Sequence, residues 1–254
     1  MLSNITCKVF YKPSLNKSDV NISGVLTYEH LQVLEVKRDV LKKGHGRFLP
    51  TLNTSQKIEI LYLYKVAAAA LDSVGVKHFL VSGTLLGLSR HKGFVPWDDD
   101  VDISVSLDSW KRVEETLSCI QGFTLYKYGT FHWKFHYSNL TFPFVDIFFY
   151  RMDESYVWAA TLYIRTTFIY PTRMVFPLGE SIFEGMMVPV PRFGLDISRR
   201  IYEYDVCLVH QGHIQRNITL LDGYPEGYSL TRSPCKDLAY MYTFLNINLP
   251  SDCL

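Results

Sequence analysis

Four aspartates, Asp98, Asp99, Asp100 and Asp102, fall within five positions in the run PWDDDVDI. Carboxylates crowded within a few ångströms resist ionisation unless a cation neutralises them, and hard divalent ions such as Mg²⁺ or Mn²⁺ take oxygen ligands of this kind. If a strand starts near Asp100, its period of two sets Asp100 and Asp102 on one face and Val101, Ile103 and Val105 on the core face. Two carboxylates then converge on one point. A solvated acidic turn is the alternative, and the flanking Trp97 and the apolar strand count against it. An EF-hand calcium loop is excluded: counted from Asp98, Ile103 takes the place of the invariant glycine and Ser109 that of the bidentate glutamate.

Asp146 stands inside FPFVDIFFY, where a lone ionised carboxylate in a buried strand is costly without a partner. A metal, solvent at a sheet edge or an arginine would each serve. With a metal, a third carboxylate completes coordination or accepts the proton of an attacking hydroxyl, which makes Asp100, Asp102 and Asp146 the candidate catalytic set and adds Asp98 to the candidate ligands. Ahead of the acids, SGTLLG follows a strand and offers the N–H groups of Gly83 and Thr84, with the Ser82 and Thr84 hydroxyls, to a phosphate at a helix N-terminus. Arg90, His91 and Lys92 behind it either neutralise a diphosphate or are simply solvated. There is no Walker A motif, no G-x-G-x-x-G and no nucleophile elbow. Cys207, His210 and His213 lack an evident fourth zinc ligand, and His132 and His136 lack the glutamate of H-E-x-x-H.

The elements that must position these residues are legible as pattern. A helix runs from Ser55 with Leu61, Tyr64, Ala68 and Leu71 on one face and stops at Gly75. VKHFLVSG is a short buried strand, DVDISVSL a half-buried one, and between them Leu85 and Leu86 sit on one helical turn. Asp108 is the candidate N-cap of a helix with a Trp110, Val113, Leu117, Ile120 stripe ending at Gly122. Strands follow at Phe123 to Tyr128, at Phe131 to Tyr137 and in FPFVDIFFY, then a strand-like GMMVPVP and a helix within 192 to 206. The class is α+β, a small mixed sheet flanked by helices. The expected organisation is an irregular N-terminal extension over 1–54, a catalytic domain over 55–206 and a C-terminal elaboration of that domain over 207–254.

With 254 residues and 48% hydrophobic content the chain buries a sizeable core. Its 26 basic against 25 acidic residues exclude a broad electrostatic surface for nucleic acid. The most apolar stretch, Val157 to Phe176, is broken by Arg165 and Arg173, so no membrane span is expected, and the start lacks the pattern of a signal peptide. Yet six Asn-x-Ser/Thr sequons begin at Asn4, Asn16, Asn21, Asn53, Asn139 and Asn217, an excess that suggests a lumenal chain lacking an upstream signal anchor. Five cysteines include no C-x-x-C pair. One or two disulfides suit such a compartment, although Cys119 reads as a buried small hydrophobe.

The string FLVSGTLLGLSRHKGFVPWDDDVDISV resembles the core motif of the LicD/fukutin family: a small-Gly-Thr-Leu-Leu-Gly turn, a His-Lys-Gly step, then Pro-Trp-Asp-x-Asp-apolar-Asp. The preceding helix and FVDIFF extend the resemblance over about residues 55 to 150, with an echo in FPLGESIFEGMMVPVP. The resemblance implies a nucleotidyltransferase fold and a transfer of phosphocholine, ribitol phosphate or glycerol phosphate from a CDP-linked donor to a glycan hydroxyl, CMP leaving. It implies that Asp100 and Asp102 bind Mg²⁺ or Mn²⁺, that Asp146 is the third carboxylate and that Asp98 supports metal or substrate. Gly83, Thr84, Arg90 and Lys92 would hold the donor diphosphate, in the Golgi or ER lumen. A nucleotidyltransferase releasing pyrophosphate and an inactive glycan- or nucleotide-binding pseudoenzyme are the alternatives. Two family features have no counterpart here: the Tyr-Gly pair after a late helix, where this chain has IYEYDVC, and a cysteine-rich zinc insertion.

Overall fold

A computed structural model describes residues 7, 15–20, 43–129, 131–165, 167–209 and 231–247. The sequons at Asn4, Asn21 and Asn217, together with His210, His213 and Cys253, lie outside them. Asn16 and Asn139 are exposed. Asn53 caps a helix.

That helix, α1 (Thr54–Ser73), starts from a reciprocal box: Gln56 N–H donates to the Asn53 side chain and Asn53 N–H to the Gln56 side chain, each at 2.9 Å. It ends at Gly75, whose φ of +68° only glycine adopts without strain. Strand β1 (His78–Leu80) leads directly into α2 (Ser82–His91), so the expected turn is the first turn of a ten-residue helix. After β2 (Val101–Ser106) comes α3 (Trp110–Leu117). Asp108 does not cap it; its N–H donates to Ser106 in a preceding 3₁₀ turn, and Trp110 is 38% exposed while Val113, Leu117 and Ile120 are buried. Only the first position of the stripe, directly after the 3₁₀ turn, lies off the buried face.

Strands β3 (Phe123–Tyr128), β4 (His132–Tyr137), β5 (Phe144–Met152), β6 (Tyr156–Ala159) and β7 (Ile169–Pro171) follow, then a one-turn α4 (Thr172–Val175). A hairpin of β8 (Gly179–Phe183) and β9 (Met186–Val190) precedes α5 (Gly194–Ile201), and β10 (Val206–Val209) pairs with β11 (Thr231–Pro234). The main sheet runs β1-β2-β5-β4-β3, with β6 and β7 beyond the far half of β5. Only β2 with β5 is parallel among these pairs, which makes the sheet mixed and the class α+β. Among the described residues no helix is long and apolar enough to cross a membrane.

Each face of the sheet is buried. Val101, Ile103, Val105, Val145, Ile147 and Phe149 pack under α1 and α3. The alternate positions Phe148 and Tyr150 join Phe79, Leu85, Tyr170 and Ile197 on the opposite face. A third cluster joins Phe48 and Trp97 to Tyr204, Cys207, Cys235, Leu238 and Tyr242, and Trp97 Nε1 donates to the Leu208 carbonyl at 2.7 Å. Two disulfides, Cys7–Cys119 and Cys207–Cys235, add ties far apart in sequence. Cys119 is thus cross-linked rather than a free buried thiol, and Cys207 is not available as a zinc thiolate.

The segment between α2 and the aspartates is fastened by Glu184, at the tip of the β8–β9 hairpin. Its carboxylate accepts from Phe94 N–H at 2.8 Å and faces Lys57 Nζ at 3.4 Å, both side chains being buried. Burial is the leading influence on Lys57 and lowers its pKa, against the pull of Glu184. Glu184→Ala should therefore lower stability by about 3 kcal/mol, because it strands a buried ammonium and a buried N–H. Thermal denaturation checks this, and adding Lys57→Met should recover part of the loss.

Candidate active site

The parallel register sets Asp102 directly beside Asp146, and the antiparallel register sets Lys134 of β4 on the other side of Asp146. Three neighbouring strands thus present acid, acid and base on the face opposite α1. Asp100, just ahead of β2, completes the group: ligand oxygens of Asp100, Asp102 and Asp146 all lie within 4.8 Å of one another, as do those of Asp98, Asp99 and Asp100. Val101, Ile103 and Val105 are fully buried beneath them.

The N-terminus of α2 closes on this group. Thr84 N–H and its hydroxyl approach Asp102 Oδ2 at 3.3 and 3.4 Å, and Asp102 N–H donates to the Thr84 hydroxyl at 2.8 Å. A Cβ at Gly83 would lie 2.6 Å from Asp98 Oδ2 and 3.5 Å from Asp102 Oδ2. Glycine is required here by close approach, and the positive helix end faces the carboxylates. Gly83→Ala should displace only the far end of the Asp98 side chain. Its melting temperature should stay within about 2 °C of wild type while turnover falls by up to about 10²-fold, which parallel melting and activity measurements test.

Charge in this site is under strain without a cation. Asp100 is held well above the ordinary carboxylate range, first by burial and then by Asp102, Asp98 and Asp146; Asp102 is raised by burial and then by Asp146 and Asp98, against the Thr84 N–H. Asp146 has Lys134 Nζ at 3.0 Å and His132 Nε2 at 3.1 Å from its Oδ1. The donor set of crowded carboxylate oxygens fits a hard divalent ion.

The other sequence candidates are placed unequally. Gly83 borders Asp98 and Asp102, Thr84 is engaged with Asp102, and Ser82 is the first residue of α2. Arg90 is 2% exposed and packs against Trp97 and Phe244, donating to the Tyr204 carbonyl at 3.4 Å. It nevertheless lines a cavity of about 220 Å³ shared with Gly83, Asp98 and Tyr202, and burial lowers its pKa to about 10, so it remains a cation there at neutral pH. Lys92 is exposed at the opposite end of α2, about 15 Å along the helix axis from Ser82 at 1.5 Å per residue. The structure does not bring it to the acids.

Residues 75–193 match the family model described as LicD/FKTN/FKRP, nucleotidyltransferase domain. The match covers just under half of the chain. All four candidate metal ligands and the α2 N-terminus lie inside it. The chain is 37% identical over 57 residues to lipopolysaccharide cholinephosphotransferase LicD of Haemophilus influenzae, covering 22% of each protein. It is 27% identical over 137 residues to ribitol 5-phosphate transferase FKRP of Mus musculus, covering 50% of this chain and 28% of that one. The matches thus span roughly a quarter of the length of these relatives. Among solved structures, lincosamide antibiotic adenylyltransferase LnuA with lincomycin bound is similar at 12% identity and a TM-score of 0.34, over 57% of this chain and 96% of that one.

The roles of three residues around this site escaped the sequence reading. His132 and Lys134 alternate with the buried Trp133 and Phe135 along β4, a period-two signal visible in HWKFHY, but their pairing with Asp146 depends on register. Tyr202, at the end of α5, borders the same cavity as Asp98; burial and then Asp102 and Asp98 keep its phenol protonated by raising its pKa.

Proposed function

We propose that this chain is a metal-dependent phosphotransferase that moves a phospho-alcohol from a CDP-linked donor to a glycan hydroxyl in the Golgi or ER lumen. The observation that carries this reading is the convergence of Asp100, Asp102 and Asp146 beside the N-terminus of α2, in the region that matches the LicD/FKTN/FKRP family model. Relatives that transfer choline phosphate and ribitol phosphate by name support the phospho-alcohol class. Two disulfides and the sequons support an oxidising lumen.

Mg²⁺ or Mn²⁺, held by Asp100 and Asp102 with Asp146 and Asp98 in support, would neutralise the charge that develops on the transferred group. The chain's own residues do the rest. Gly83 N–H and the Ser82 hydroxyl face the donor diphosphate at the positive end of α2, and Arg90 adds a fixed cation behind Asp98. The acceptor oxygen bonds to the β-phosphorus as the bond from that phosphorus to the bridging oxygen breaks. CMP leaves with the electron pair, and the hydroxyl proton passes to Asp146, which Lys134 and His132 hold in place.

The test is release of CMP from CDP-choline, CDP-ribitol and CDP-glycerol with Mn²⁺ or with EDTA, in the presence of a glycan mixture. Metal-dependent CMP that Asp100→Asn abolishes is expected. Pyrophosphate from a nucleoside triphosphate instead would assign nucleotidyl transfer, and binding of metal and nucleotide without turnover would make the chain a pseudoenzyme.

A further inference from the structure

Tyr202 lies outside the residues 75–193 that match the family model, yet it lines the cavity of about 220 Å³ together with Gly83, Arg90, Asp98 and Glu203. Helix α5 delivers it there. That helix packs along α2, with Ser198 Oγ 3.4 Å from Ser89 Oγ and the Gly194 backbone close against Leu85, where a Cβ would lie 3.1 Å from Cδ1. Tyr202 N–H closes the last turn on the Ser198 carbonyl at 3.0 Å, and its own backbone is extended, so the chain leaves α5 at this residue. The phenol is half-buried, and its hydroxyl makes no hydrogen bond among the described residues. Burial, and then Asp102 and Asp98, raise its pKa, so it stays protonated and offers a donor.

The rest of the cavity calls for an acceptor-rich, anionic ligand. Arg90 is 2% exposed and, among the described residues, donates only to His91 Nε2, the Tyr204 carbonyl and Cys235 Sγ, at 3.3, 3.4 and 3.5 Å, with no carboxylate in ion-pairing distance. A buried cation without a counter-charge is costly until an anion meets it. Gly83 lies in the first turn of α2, where backbone N–H groups have no partner within the helix. The two carboxylates in the same wall are otherwise committed: Glu203 pairs with Arg232, and Asp98 belongs to the candidate metal set. Resting on the phosphoryl-transfer reading of this site, we infer that Tyr202 is a further catalytic residue, whose hydroxyl donates to a non-bridging oxygen of the substrate diphosphate. Charge shifts among those oxygens as the phosphoryl group is transferred, and a fixed neutral donor stabilises it without adding a second cation that would compete with the metal for the aspartates.

Tyr202→Phe keeps the ring and removes only the donor. Titration calorimetry on the whole chain should show inorganic pyrophosphate, with Mn²⁺ present, binding the variant about tenfold more weakly than wild type. The Mn²⁺ affinity without pyrophosphate and the melting temperature should stay at their wild-type values, which a merely structural tyrosine would not allow. In the CMP-release assay the same variant should lose about 10- to 100-fold in kcat/KM for the donor, with the acceptor KM little changed. Pyrophosphate binding that is unchanged in Tyr202→Phe, or weakened only in step with Mn²⁺ affinity or melting temperature, would overturn the inference. So would wild-type protein that binds no pyrophosphate with Mn²⁺ present. If pyrophosphate binding weakens as expected but no CDP-linked donor releases CMP, the diphosphate contact stands and the choice of a CDP-linked donor falls.

Discussion

Asp100→Asn is expected to lower CMP release by roughly 10³-fold or more while making the metal-free protein more stable. The two effects have one cause. Asp100 is buried among Asp98, Asp102 and Asp146, and its pKa is raised from 3.8 because ionising it there is unfavourable. A carboxyl whose folded pKa exceeds its unfolded value binds more protons in the native state across that interval. Stability then falls as pH rises from about 4 through the folded pKa and does not recover above it. Without metal, wild type should therefore melt lower at pH 7.5 than at pH 5, with Asp102, raised in the same direction, contributing. Asp100→Asn should flatten that slope, and Mn²⁺ should raise the melting temperature of wild type far more than that of the variant. Melting curves across pH, with metal and with EDTA, check the whole set. A variant with the wild-type pH slope would remove the carboxylate cluster as its source.

Gly87→Ala should be far more damaging to the fold than Gly83→Ala, at about 3–5 kcal/mol or roughly 10 °C in melting temperature. A Cβ at Gly87 would lie 2.4 Å from the Gly93 carbonyl oxygen, 2.6 Å from Val95 N and 2.9 Å from the Phe94 carbonyl carbon. All three are backbone atoms of the strap that returns from α2 to Trp97 and Asp98, and Glu184 anchors that strap from the other side. It cannot retreat without giving up the Phe94 and Val95 packing, both of which are buried. Gly83→Ala, one turn earlier in the same helix, meets only the tip of a carboxylate side chain. Melting both variants side by side separates a backbone collision from a side-chain one.

These contrasts mark how far sequence carries. The aspartate run was legible because a period of two and an apolar alternate face define both the ligands and the strand that bears them. The α1 face was legible from its helical spacing and the Asp146 strand from its continuous apolar run. Whatever depended on distant pairing was not. Lys134 meets Asp146 only through the β4–β5 register, and Arg90 is buried among Trp97, Tyr204, Cys235 and Phe244, which are distant in sequence. Local spacing made Arg90 and Lys92 look equivalent. Two positions along a helix turn point different ways, so one lines a cavity with Asp98 and the other points to solvent. Cys119 looked apolar because its partner stands 112 residues away.

The single parallel pairing has a consequence in time. Asp102 and Asp146 are neighbours across β2 and β5, yet they stand 44 residues apart along the chain, as the adjoining Ser104–Phe148 contact also does. The β3–β4 hairpin lies in the chain between them, and β4 pairs with the other edge of β5. Closing so long a loop against like charge belongs to the late, slow part of folding. Acquisition of the metal site therefore reports completion of the sheet, and a nascent chain that has not yet delivered β5 carries the aspartate run without the pocket that gives it meaning.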